Sequence, residues 1–104
     1  AIAAAAPAPL APPIDDIVAE NQLLGGALAA LRTGDLTAAT RLLDRHRTQF
    51  PTGKLTVARR AGQVRVACAS GDVAGARASA RRLLAEHPGD PDAVGVRDVC
   101  SAKK

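Results

Sequence analysis

The chain has 104 residues, with 14 Lys and Arg against 10 Asp and Glu for a net charge of +4, and Phe50 is its one Phe, Tyr or Trp. A core made mainly of Ala, Leu and Val is thin, which disfavours an enzyme pocket walled by large side chains, and a foldable part this short buries only roughly 60 to 65% of its unfolded surface. No run of 18 apolar residues is present, so no segment is expected to span a bilayer as a helix.

Residues 1–14 carry no charge and hold Pro7, Pro9, Pro12 and Pro13 in an Ala-rich background. Such a stretch stays extended and is read as a linker. It lacks a basic segment ahead of its apolar residues, so it is not a complete signal peptide; it fits the remnant of one, the end of an upstream membrane segment, or an arbitrary tail.

The pattern predicts five helices over residues 15–101, with 102–104 a tail. The first begins near Asp15, with Asp15 and Asp16 in the positive first turn. Ile14, Ile17, Leu24, Leu28 and Leu31 form its buried stripe, interrupted by Asn21. The stripe continues in phase across Gly25-Gly26, which are expected where another backbone comes close. Gly34 suits the left-handed position that ends a helix, and Asp35 the cap that begins the next. The second helix then places Leu36, Ala39, Leu43 and Phe50 inward and stops at Pro51-Thr52-Gly53. The third, about Lys54 to Ser70, aligns Val57, Ala61, Val64 and Cys68. Gly71-Asp72 repeats the stop and start, and the fourth helix carries Val73, Ala76, Ala80, Leu83 and Leu84 as far as His87-Pro88. Asp90 caps a short fifth helix with Pro91 at its first position and Ala93, Val96 and Cys100 in line. Short loops make antiparallel neighbours the natural arrangement.

The stretch Gly34 to Pro51 returns 37 residues later as Gly71 to Pro88. Gly34 and Gly71, Asp35 and Asp72, Leu36 and Val73, Ala39 and Ala76, and Pro51 and Pro88 occupy equal places, and such a period marks stacked helical hairpins. This resembles the tetratricopeptide repeat, in which a small residue early in the second helix and a proline after it recur; Ala39, Ala76, Pro51 and Pro88 match, as does Ala27 in the preceding helix. The period is 37 rather than 34, the aromatic positions of the first helix are absent, and His46 stands where a small residue is expected. The resemblance implies an all-α fold in which about five antiparallel helices form two and a half tetratricopeptide-like hairpins, a right-handed α-solenoid fragment. The combination of Gly34-Asp35, Phe50-Pro51-Thr52-Gly53-Lys54-Leu55, Ala67-Cys68, Asp90-Pro91 and Val96-Arg97 with Cys100 is also similar to a short C-terminal domain of membrane-anchored bacterial regulatory proteins. In these an Ala/Pro-rich linker follows the transmembrane segment.

Cys68 and Cys100 both fall on inward stripes of helices that would lie side by side. A bridge there contributes roughly 3 to 4 kcal/mol by the chain-entropy model and implies an oxidising compartment such as the periplasm; the alternative is two buried thiols serving as small hydrophobes. No metal or cofactor is expected, because there is no CxxC and His46 and His87 are not spaced as ligands with either cysteine. Those histidines are assigned to the negative ends of helices two and four. No nucleophilic triad, phosphate loop or paired carboxylate presents itself, so the chain reads as non-enzymatic.

Arg41, Arg45, Arg59, Arg60, Arg77 and Arg81, with Arg82, concentrate on helices two to four as candidate partner-binding residues, against the reading of a solvated face. Three functions follow. The first is an extracytoplasmic interaction module that binds a protein or peptide in a groove lined mainly by first helices, without membrane contact of its own. The second is an electrostatic binder of nucleic acid or anionic polymer, disfavoured by the lack of aromatics to stack bases. The third is a structural domain that self-associates through helix five or the Asn21 face of helix one.

Overall fold

A computed structural model describes residues 16–100. The linker assigned to 1–14 and the tail at 102–104 lie outside the described residues. Within them are five helices and no strand: α1 (Ile17–Thr33), α2 (Leu36–Gln49), α3 (Thr56–Ala69), α4 (Val73–Glu86) and α5 (Pro91–Gly95).

The repeat in sequence is a repeat in backbone. Gly34 takes φ 82° and Gly71 φ 98°, a left-handed conformation that only glycine adopts without steric cost. Gly34 N–H then bonds Leu31 O at 3.1 Å and Asp35 N–H bonds Ala30 O at 2.8 Å. Gly71 to Cys68 and Asp72 to Ala67 repeat these at 3.1 and 2.9 Å, which satisfies the last carbonyls of α1 and α3 in the Schellman pattern. The same aspartates cap the following helices, Asp35 Oδ1 accepting from Ala38 N–H and Asp72 Oδ1 from Gly75 N–H, each at 3.0 Å. Three residues thus close one helix and open the next. Phe50 and His87 end α2 and α4 with nearly identical backbone angles, φ −132° and −136°.

Hairpins α1–α2 and α3–α4 result. Of the five, only α3 touches all the others, while α2 and α4 are not neighbours. Ala27 and Ala39 are wholly buried in the first hairpin, as is Ala76 in the second, where side chains no larger than methyl let backbones approach. One apolar cluster gathers Leu24, Ala27 and Leu43 with Leu55, Ala58 and Val66; the other gathers Ala61, Val64, Ala76, Ala80, Leu83, Ala93 and Val96. Both draw on α3, so the two hairpins share one helix as their common wall. Cys68 and Cys100 are disulfide-bonded with Cα atoms 5.6 Å apart, which ties the turns after α5 back to α3.

Three expectations change. The buried stripe of α1 runs through Glu20, Leu24 and Ala27, while Asn21 and Leu28 are exposed; the stripe is rotated by one residue because Glu20 has partners inside. A Cβ on Gly26 would meet the side chain of Leu42, and one on Gly25 would meet nothing, so no backbone approaches either. Finally, α5 stops at Gly95, and Cys100 is reached through turns, at φ 71°.

Candidate functional site

Two features stand apart from the apolar scaffold: a buried polar array at the junction of the hairpins, and a set of surface hollows.

The array begins with an uncapped helix. The residue before α3 is Leu55, which offers no side-chain cap, so the free amides at this end need a partner from elsewhere. Glu20 supplies it from the middle of α1. Its carboxylate accepts from Leu55 N–H at 3.1 Å and from Lys54 N–H at 3.3 Å, and its charge lies at the positive end of the α3 dipole. Gly53 makes the approach possible, since a Cβ at that position would collide with the carboxylate. From the other side His46 Nε2–H donates to Glu20 Oε1 at 3.0 Å, and His46 Nδ1 accepts from Arg59 Nε–H at 3.1 Å. This pattern sets the tautomer: a proton on Nε2 and none on Nδ1. Phe50 covers the imidazole with ring centroids 5.6 Å apart.

Glu20 and His46 are wholly buried and Arg59 is 6% exposed. Burial pushes the Glu20 carboxyl up, but the bonds from Leu55, His46 and Lys54 outweigh it and hold the group below its ordinary range. For Arg59, burial and then Arg47 and Arg60 lower the guanidinium from its ordinary value. A carboxylate and a guanidinium therefore sit on either side of one imidazole. Among the described residues no buried side-chain polar atom is without a partner. Glu20 and His46 have no surface open to a substrate in this arrangement, and every side-chain hydrogen bond they make joins one helix, or the turn ahead of α3, to another.

The second copy shows how unusual this is. Thirty-seven residues on, Glu20, His46 and Arg59 correspond to Val57, Leu83 and Val96, all in the second apolar cluster. Gly53 corresponds to Asp90, which caps α5 locally by accepting from Asp92 N–H at 2.8 Å. One junction has a local cap and an apolar filling; the other borrows its cap across the fold and needs a polar chain to bury it.

Surface hollows lie between successive helices rather than along the first helices alone. One, of about 330 Å³, is lined by Thr40, Leu43, Asp44 and Asp72 with Gln63, Val66, Ala67 and Ser70 of α3. A second, of about 280 Å³, lies between Arg77 and Arg81 of α4 and the turn Arg97-Asp98-Val99. A third is formed by Arg60, Gln63, Val64, Ser79 and Arg82.

The structure divides the candidate arginines. Arg41, Arg45, Arg77 and Arg81 are exposed. Arg59 is removed from the partner-binding set, because it is buried against His46. Arg60 is half-buried and bonded to Glu86 at 2.7 Å, which holds that carboxyl below its usual range. The repeat-defining residues fall into two groups: Gly34, Asp35, Gly71 and Asp72 are caps and Ala39 and Ala76 are buried, while Pro51 and Pro88 are exposed just beyond α2 and α4. His46 lies in the last turn of α2, but its ring serves the array rather than the helix dipole. Among the described residues no group of three His, Cys, Asp or Glu is arranged to hold a metal ion, and no helix is long and apolar enough to cross a membrane. Comparison with protein-family models, curated proteins and solved structures finds no match.

Two predictions follow from the array. Glu20→Val alone is expected to lower unfolding stability by about 3 to 5 kcal/mol, because it strands a buried charge. Glu20→Val with His46→Leu, Gly53→Asp and Arg59→Val, which installs the chemistry of the second junction in the first, is expected to return stability to within about 1 kcal/mol of the parent; urea unfolding of the two variants decides it. The second concerns acid. With its folded value depressed, Glu20 contributes stability that is complete above the ordinary glutamate value of about 4.3 and disappears as pH falls through the lower folded value. Thermal midpoints measured below pH 5 are expected to fall more steeply for the parent than for Glu20→Gln.

Proposed function

We propose that this chain is a non-enzymatic interaction module of tetratricopeptide-like, right-handed solenoid form that holds a protein or peptide segment in the grooves between its hairpins. The neighbour scheme supports the architecture: two hairpins, with α3 against both α1 and α2, and α5 against both α3 and α4, is what consecutive repeat units make when first helices line up and each second helix meets the next unit.

The observation that carries the function is where the copies differ. Residues kept between them are caps and crossing points, whose presence folding explains. Groove residues are not kept: Thr40 and Asp44 of the first copy are Arg77 and Arg81 in the second. All four are exposed and lie on helices of the same length, so folding alone demands neither set. A surface that varies while the scaffold repeats is how solenoids acquire partners.

The disulfide supports an oxidising compartment such as the periplasm, and the likeness to C-terminal domains of membrane-anchored regulators supplies a context, the extracytoplasmic part of a larger chain. Electrostatic binding of nucleic acid is the weaker reading, since Arg59 and Arg60 are engaged within the fold and Phe50, the one Phe, Tyr or Trp of the chain, is buried and so cannot stack on bases.

Selection from a phage-displayed random peptide library against the immobilised chain tests the proposal. Enriched peptides should bind with micromolar or tighter affinity, corresponding to about −8 kcal/mol, and shift the amide resonances of groove residues such as Thr40, Gln63, Arg77 and Arg81. A library that yields no binder, or binders that shift only residues outside the grooves, would count against it.

A further inference from the structure

The two grooves are related by the repeat, and their charges differ. Thr40 and Asp44 face α3 in the first; at the same places in the second stand Arg77 and Arg81, and Arg97 occupies the place of Arg60. Arg60 is drawn away by Glu86 at 2.7 Å. Arg97 has only its exposed neighbour Asp98, with Nε and Oδ2 3.5 Å apart, and no ion pair or side-chain hydrogen bond engages Arg77 or Arg81 among the described residues. Three guanidinium groups thus meet one carboxylate around a hollow of about 280 Å³. Arg77 and Arg81, four apart on α4, lie on one face of the helix. Half-buried Val99 supplies an apolar wall, and the Cys68–Cys100 bond anchors the adjoining backbone to α3.

Building on the reading above, we propose that the groove between α4 and the Arg97–Val99 turn binds an acidic peptide segment, its carboxylates paired with Arg77, Arg81 and Arg97 and an aliphatic side chain set against Val99. Guanidinium groups bind carboxylates in a bidentate fork, and the hollow of about 280 Å³ has room for a side chain or two. The absence of any exposed aromatic residue in this groove favours a peptide over a nucleic-acid strand. The first groove has Asp44 and Asp72 on its rim, with Arg47 3.6 Å from Asp44 and Arg41 beside it; its charges are mixed, and an acidic segment finds no cluster of unpaired guanidinium groups there.

The test uses the full chain and a fluorescein-labelled hexapeptide of alternating Glu and Leu, read by fluorescence anisotropy. Arg77→Thr with Arg81→Asp, the residues of the equivalent places in the first copy, should weaken binding by about tenfold or more. Arg41→Thr with Arg45→Asp, which changes the net charge equally on α2, should alter it less than about twofold. Circular dichroism melts of both variants should match the parent. Equal weakening by both pairs would reduce the effect to net charge and overturn the site, as would tighter binding of a twelve-nucleotide oligothymidylate than of the peptide. If library-selected peptides bind but neither the acidic peptide nor the Arg77/Arg81 variant discriminates, the acidic assignment fails while the interaction module stands.

Discussion

The fold depends on how the amino end of α3 is satisfied. That end has no cap of its own, yet α3 is the helix on which both hairpins pack. Glu20 reaches it from α1 and fixes the position of the first hairpin relative to the second. The cost of burying a carboxylate is then distributed: two backbone amides and an imidazole accept part of it, Arg59 completes the chain, and Gly53 leaves the space. A buried ionic group is weak evidence for net stability, because an apolar filling can do as well. Its directional bonds do specify geometry, however, and the second junction, made of Val57, Leu83 and Val96, has no such specificity. The two junctions of one small domain therefore place it by different means, the first by directional polar bonds and the second by apolar packing with a disulfide across it.

This division bears on function. A groove between hairpins has a defined shape only if the hairpins hold their relative orientation. The polar array secures α1, α2 and α3, and the Cys68–Cys100 bond secures the turns after α5 against α3. Between these two fixtures lie the grooves, whose residues are free to differ because neither fixture uses them. Their contrast, Asp44 and Asp72 in one and Arg77, Arg81 and Arg97 in the other, gives a symmetric scaffold an asymmetric surface.

Much of the fold was legible because its signals are local. Gly34-Asp35 and Gly71-Asp72 determine helix boundaries through backbone conformation and side-chain capping, and periodic Ala, Leu and Val positions identify most of the core. Long-range partnerships were not legible in the same way. Periodicity placed Asn21 on the buried stripe of α1, since a charged Glu20 reads as solvent-facing until its partners 26 and 34 residues away are known. Arg59 was grouped with the surface arginines for the same reason. One signal was present: at the 37-residue offset Glu20, His46 and Arg59 all face apolar counterparts, and Gly53 faces an aspartate. Extending the comparison of copies outward from Gly34–Pro51 would have exposed that correlated change. The early end of α5 was not visible in sequence, where Ala93, Val96 and Cys100 keep helical spacing; the chain instead turns to bring Cys100 to Cys68.

The central claim is that a specific chain of hydrogen bonds, Arg59 to His46 to Glu20 to the Lys54 and Leu55 amides just ahead of α3, joins the hairpins. It is tested most directly by long-range ¹H–¹⁵N correlation of the His46 imidazole at neutral pH. The account predicts a proton on Nε2 and a bare Nδ1, the only tautomer that can donate to Glu20 while accepting from Arg59. A proton on Nδ1, or an imidazole that averages between tautomers as a solvent-exposed ring does, would contradict it.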